Sequence, residues 1–146
     1  MSATRPPRTL IGVASSGHEL GHFGLRAFIG KRPSLIKDAV AWIHLGANIG
    51  AAQGRPRLQA SDDGIEKLAG DALTRAGIEV QERVPRGTRA RGEARHIHDG
   101  GGRYVGLSGS GPLFHNIADR WPAAVDVPAV SRFAQAFADL AVTLAS

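Results

Sequence analysis

The stretch TLIGVASSGHELGHFGLRAFIG, residues 9–30, sets the expected fold of this chain. Its first six residues are a short apolar run that a Ser-Ser-Gly turn ends, a pattern typical of a buried strand in an α/β sheet. Apolar residues then recur at helical spacing, with Ser16 as a candidate N-cap and Gly30 as a candidate stop. The sequence therefore predicts a strand over 9–14, a glycine-containing turn and a helix over 19–29.

The rest of the chain alternates between strand-like and helix-like segments in the same way. Short apolar runs predict further strands, and amphipathic stretches predict further helices. The predicted strands cover residues 40–45, 78–84 and 104–107, and the predicted helices cover residues 61–77 and 127–144. We therefore expect an α/β fold, a partial three-layer sandwich with a mostly parallel or mixed sheet and flanking helices, in a single domain over residues 1–146.

The amino-acid composition excludes several classes of functional site and partner. The 146 residues include 18 Lys and Arg against 13 Asp and Glu, and no Cys. Without Cys, thiolate catalysis and Cys-based zinc sites are excluded, so a metal would have to be held by His, Asp and Glu. The basic segment 83–95 has glycines that interrupt a helix and no aromatic side chain to stack a base, which predicts a solvated loop and no nucleic-acid partner. We see neither a membrane-length apolar run nor a signal peptide, and we expect a cytoplasmic protein with no membrane partner.

The string HELGH, residues 18–22, has the form H-E-x-x-H. On a regular helix His18 and His22 would lie one turn apart and could bind one Zn²⁺, while Glu19 acts on a water. Zincins carry this motif inside an apolar helix, whereas Gly21 and Gly24 interrupt it here. A turn between strand and helix is the better-fitting context, because ligand and catalytic groups collect at the C-terminal edge of an α/β sheet.

Three segments resemble one family. Residues 9–28 are similar to the strand, turn and helix of the co-catalytic zinc aminopeptidase and glutamate carboxypeptidase-like metallopeptidases, whose signature there is G-E-E-x-G-x-x-G-S/A. Residues 40–50, VAWIHLGANIG, resemble the family strand I-x-L-D-M-x-G, and residues 114–119, FHNIAD, resemble its late F/Y-H-T/N-x-x-D motif. The segments follow the family order over most of residues 8–145.

The resemblance implies a zinc centre and peptide-bond hydrolysis. Residue by residue, Glu19 matches a metal-binding Glu, His18 takes the position of the general-base Glu, and His115 matches a late metal-binding His. His22 is the candidate for a further metal ligand. The implied reaction is aminopeptidase-type hydrolysis of a peptide or small amide substrate by metal-activated water.

The chain departs from the family pattern in two further places. Gly46 and Ala47 stand where the family strand ends in a metal-binding Asp, and the family half that supplies the first His and the bridging Asp has no counterpart. We therefore expect the C-terminal half of such a domain, truncated or catalytically impaired, which forms a homo-oligomer or joins a complementing chain. The alternative is a non-catalytic homologue that acts as a ligand- or subunit-binding module.

The remaining histidines have two interpretations each. His96 and His98 would lie on one face of a strand, where they could join Asp99 in a metal site, but the glycines that follow favour an exposed loop strand. His44 stands in an apolar run, which predicts a hydrogen-bonded core or rim histidine rather than a metal ligand.

Overall fold

The computed structural model describes residues 6–146 of the chain. Four strands form one mixed sheet in the order β1-β4-β2-β3. Strand β4 is parallel to β1 on one side and antiparallel to β2 on the other, and β3 adds to β2 in parallel. The strands are β1 (Trp42–Leu45), β2 (Arg57–Ala60), β3 (Glu82–Arg83) and β4 (Tyr104–Ser108). The helices are α1 (Phe23–Gly30), α2 (Leu35–Asp38), α3 (Asp63–Arg75), α4 (Ala94–Asp99) and α5 (Val127–Ala145).

The two longest helices begin at capped N-termini. Asp62 precedes α3 and accepts a hydrogen bond from the backbone N–H of Ile65 at 2.9 Å, and Asp126 does the same for Ala129 at the start of α5. Such caps satisfy backbone donors that the first helical turn leaves without partners. The amphipathic patterns over 61–77 and 127–144 therefore predicted both helices correctly.

Neighbouring residues of β4 belong to two different hydrophobic clusters. Val105 and Leu107 pack in the larger cluster, with residues of β2, α3 and α5, whereas Tyr104 packs with Ala94 and Ile97 of α4. Because successive side chains of a strand point to opposite faces, the two clusters lie on opposite sides of the sheet. The α/β class, with a mixed sheet and flanking helices, is confirmed, while the three-layer sandwich itself stays a prediction.

The predicted strand over 9–14 is wrong. These residues form neither helix nor strand, none of the described strands pairs with them, and Leu10 and Ile11 are 56% and 57% exposed. An apolar run becomes a strand only where a sheet edge accepts its backbone hydrogen bonds, and periodicity alone does not reveal that partner. The predicted helix over 19–29 begins later, at Phe23, because a separate turn precedes it.

Three smaller differences concern the middle of the chain. The predicted strand over 78–84 shortens to the two residues of β3, and β2 was not among the predicted strands. His96 and His98 lie on the short helix α4 rather than on a strand. No helix within residues 6–146 is long and apolar enough to cross a membrane.

Candidate metal centre

The residues before α1 form a tight turn that carries His18 and His22. The backbone N–H of His22 donates to the carbonyl of His18 at 3.1 Å, and Gly17, Gly21 and His22 all have positive φ, between 61° and 70°. Glycine adopts such angles readily, which explains why one glycine precedes the H-E-x-x-H motif and another lies within it. The result is one isolated turn that brings the two imidazole centroids within 4.9 Å.

Gly24 fixes this turn against the start of α1. Its backbone N–H donates to the Ser16 carbonyl at 2.9 Å, and a Cβ added at Gly24 would lie 2.6 Å from the Ser16 backbone nitrogen. Real Cβ atoms do not approach backbone so closely, so only glycine fits here. The position of both imidazoles therefore depends on a residue that touches neither of them.

Glu93 meets His18 from a distant part of the chain. It precedes α4, and its carboxylate accepts a hydrogen bond from His18 Nδ1 at 2.8 Å. Its second oxygen lies 3.5 Å from Nε2 of His44, which β1 carries on the face of the sheet that α4 covers. Gly106, opposite His44 on β4, and Gly92, beside Glu93, both lie next to the His44 ring.

His96 extends the group toward α4. Its Nε2 lies 2.9 Å from Nδ1 of His22, and the two rings meet edge to face with centroids 5.1 Å apart. His22 is only 8% exposed, which is rare for a polar side chain unless it is hydrogen-bonded. We call these five residues the histidine cluster: His18, His22, His44, Glu93 and His96.

The pKa values in the cluster move in opposite directions. The hydrogen bond and charge of Glu93 raise the pKa of His18, whereas burial lowers the pKa of His44 below its ordinary value. Burial and the neighbouring His22, with nearby arginines, also lower the pKa of His96. Burial acts to raise the pKa of Glu93, but its hydrogen bonds from His18 and from the backbone outweigh burial and the pKa falls. The cluster therefore combines an ionised carboxylate with two imidazoles, His44 and His96, that favour the neutral form, whereas the carboxylate favours the protonated form of His18.

Three members of the cluster could hold a metal ion. One ligand atom each from His18, His22 and Glu93 can be chosen so that all three lie within 4.8 Å of one another. Two ligand atoms at zinc-binding distances of about 2.0–2.1 Å can be at most ~4.2 Å apart, so an ion would draw the group slightly together. Two imidazoles and one carboxylate suit Zn²⁺, and three protein ligands leave a fourth position open.

A cavity of about 520 Å³ lies beside these ligands. One side is formed by the turn that carries the H-E-x-x-H motif, and the other by the segment leading into α4. Its lining residues are His18, Glu19, Gly21, His22, Arg89, Ala90, Arg91, Gly92 and Arg95. A bound ion would therefore face a space large enough for a small molecule.

The sequence-predicted site residues separate into two groups. His18 and His22 belong to the candidate metal centre, and Glu19 lines the adjoining cavity without joining the ligand group. His115 is exposed in the loop before α5, where its ring stacks on Phe114 with centroids 4.0 Å apart, and it is not in the ligand group found within residues 6–146. Metal ligation by Glu19 and His115 stays a prediction of the resemblance.

Sequence reasoning missed Glu93 altogether. It lies within the basic segment 83–95, which was expected to be a solvated loop. The sequence signal that could have identified Glu93 is that it is a carboxylate among arginines, close in sequence to two histidines. The sequence predicted His96 on a strand, whereas it lies on α4. Nε2 of His44 lies 3.5 Å from the Glu93 carboxylate, which the sequence did not place beside it.

The chain was also compared with known proteins. No protein-family model matches it, and no curated protein or solved structure is significantly similar to it. The interpretation of the histidine cluster therefore depends on its own geometry and chemistry.

Proposed function

We propose that this protein binds a zinc ion through His18, His22 and Glu93 and hydrolyses a peptide or small amide at that centre. The observation that carries the proposal is the convergence of two imidazoles and a carboxylate within 4.8 Å at the side of an open cavity. This donor set favours zinc over magnesium or calcium, which prefer oxygen ligands.

Glu19 is the residue that would move protons in the reaction. Glu19 lines the same cavity as His18 and His22. When bound, zinc lowers the pKa of a water and polarises a scissile carbonyl. Glu19 accepts the proton from the attacking water and returns it to the leaving amine, the role of a general base and then a general acid.

His44 and His96 position the ligands. His44 approaches the second oxygen of Glu93 at 3.5 Å, and His96 is hydrogen-bonded to His22. Groups behind metal ligands fix the orientation of those ligands and contribute to metal affinity. The two histidines therefore support the centre from β1 and from α4.

Zinc titration of the purified chain tests the metal centre. We expect one zinc ion per chain by calorimetry, with no zinc bound by the His18→Gln/His22→Gln variant. Glu93→Gln should weaken zinc binding by about 10- to 100-fold or more, as for groups that hold or orient a ligand. His98→Gln is the matched control, because His98 also lies on α4 but bonds to the Tyr104 hydroxyl at 3.1 Å.

His115→Gln separates this centre from the one that the family resemblance implies. Zinc affinity should be unchanged in this variant. A loss as large as that in Glu93→Gln would support the ligand set of the resemblance and would refute the one proposed here.

Hydrolysis is tested separately with a panel of aminoacyl anilides and dipeptides. The zinc-loaded protein should release amine, and Glu19→Gln should lower the rate by about 10²–10⁴-fold while zinc affinity is retained. Zinc binding without turnover on any substrate would instead identify a non-catalytic ligand-binding module.

A further inference from the structure

The cavity beside the candidate metal centre is strongly basic. Three arginines line it, Arg89, Arg91 and Arg95, and Glu19 is the one acidic residue among its lining residues. A fourth guanidinium lies near its rim, because the Arg26 NH1 atom would be 4.0 Å from a Cβ placed on Gly21. Positive charge therefore concentrates where a substrate would approach the metal ligands.

The three lining arginines differ in their partners. Arg89 makes two hydrogen bonds to Asp99, one of them from Nε at 2.9 Å, so its charge is compensated. Within residues 6–146, no carboxylate oxygen lies within 4.0 Å of a guanidinium nitrogen of Arg91 or Arg95. These two guanidinium groups keep their donors for a molecule in the cavity.

Their positions follow from the local backbone. Gly92 lies between the two arginines in sequence, with φ +56°, and Arg95 is half-buried in the first turn of α4. Both arginines line the same cavity as the candidate ligands His18 and His22. The arginines and the metal ligands therefore form one continuous electrostatic site.

We propose that Arg91 and Arg95 bind an oxyanion group, a carboxylate or a phosphate, of the small molecule that enters this cavity. The proposal deepens the proposed function and rests on it, because the anionic group would belong to the substrate of the zinc centre. Guanidinium groups bind both kinds of oxyanion through paired, charge-assisted hydrogen bonds. A volume of about 520 Å³ fits a small molecule rather than a folded partner.

The test measures anion binding without zinc, so that it does not depend on the metal centre. Inorganic phosphate and succinate are titrated separately into the metal-free chain, and binding is followed by calorimetry and by NMR shifts of the Arg91 and Arg95 side chains. The variant is Arg91→Gln/Arg95→Gln, and its matched control is Arg75→Gln/Arg132→Gln, which removes the same charge from two exposed helical positions. Circular dichroism establishes that each variant keeps the fold.

We expect at least one anion to bind the wild-type chain and the control equally, with about tenfold or greater weakening in the double variant. Arg91→Lys/Arg95→Lys should recover part of the affinity, because charge is kept while the paired geometry is lost. Tighter phosphate binding would identify a phosphate-bearing substrate, and tighter succinate binding a carboxylate-bearing one.

Two outcomes would overturn the proposal: no binding of either anion to the wild-type chain, or equal weakening in the control variant. Failure of the zinc centre gives a different result. In that case zinc titration of the wild-type chain shows no binding, while phosphate or succinate still binds and still depends on Arg91 and Arg95.

Discussion

The two faces of the central sheet carry different kinds of side chain. On the face that α3 and α5 cover, Leu58, Ile65 and Leu107 are at most 1% exposed. On the opposite face a small apolar cluster around Tyr104 stands near His44, Glu93 and the rest of the histidine cluster. Hydrophobic burial is the dominant favourable term in folding, and it is concentrated on one face. The histidine cluster lies on the other face. Substitutions on the two faces should separate stability from metal binding.

The largest effect is expected from Ile65→Ala in α3. Ile65 is fully buried, so the substitution leaves a cavity and should lower the free energy of unfolding by about 2–5 kcal/mol. Denaturant titration measures the change, and Val130→Ala, at a 45% exposed position of α5, is the control with a small effect. Zinc affinity of the folded Ile65→Ala protein should match the wild type. A large fall in affinity would show that the faces are coupled.

Gly24→Ala should give the reverse pattern. Its Cβ would lie 2.6 Å from the Ser16 backbone nitrogen, which forces the turn with His18 and His22 to shift. Zinc affinity should fall about tenfold or more, as it does when groups that position ligands are changed. Gly30→Ala is the matched control on the same helix, because nothing lies within 4 Å of its added Cβ. Equal zinc affinities in the two variants would contradict the role given to the turn.

Asp62→Ala tests the N-terminal cap of α3, which lies outside the histidine cluster. Asp62 caps α3 and also accepts a hydrogen bond from Arg103 at 2.9 Å, so its removal should cost about 1 kcal/mol. Arg103, with the backbone N–H of Ile65 and the Ser61 hydroxyl, lowers the pKa of Asp62 despite partial burial. A lowered pKa stabilises the fold above the unfolded value of about 3.9, and this stability is lost as the pH falls through the lower folded value.

The difference in unfolding free energy between wild type and Asp62→Ala should therefore stay constant from pH 7 to about pH 4 and shrink below it. Urea titrations over this range measure it. Asp119→Ala, in the exposed loop before α5, is the control and should change the free energy of unfolding little. A difference that grows at low pH would rule out this assignment.

The smallest effect concerns self-association. Leu10 and Ile11 are more than half exposed, and β1 is an edge strand of the sheet. Exposed apolar side chains and unpaired edges favour association, so we expect a dimer or larger species by light scattering. Leu10→Asp/Ile11→Asp should shift the chain toward monomer. A wild-type chain that is monomeric at all concentrations would contradict this expectation.

The sequence predicted the elements on the α3 and α5 face of the sheet better than it predicted the histidine cluster on the other face. The apolar stripes of α3 and α5 repeat over three or more turns, and both helices formed where the pattern places them. Strand β4 spans Tyr104–Ser108, one residue longer than the predicted strand over 104–107. Long periodic segments reflect the burial that stabilises them, so their pattern is informative on its own.

The candidate site was harder to predict because its members come from three separate segments. The H-E-x-x-H spacing correctly brought His18 and His22 together, although in an isolated turn rather than in a zincin-type helix. Glu93 joins them only through the tertiary fold, and its neighbours in the sequence are mostly polar or basic. The strand prediction over residues 9–14 was wrong for the same reason. A strand needs a neighbouring strand to accept its backbone hydrogen bonds, and the local sequence does not identify that neighbour.

The bond between His18 and Glu93 joins residues 75 positions apart in the chain. An ion held by both would act as a cross-link that closes this long loop, and such closure removes conformational freedom from the unfolded chain. Chelation would then release the N-terminal turn before the sheet opens, because the cross-link and Gly24 hold that turn while the core under α3 and α5 does not contain it. Amide hydrogen exchange in residues 16–24 would accordingly report metal occupancy, while exchange in α3 would report global unfolding.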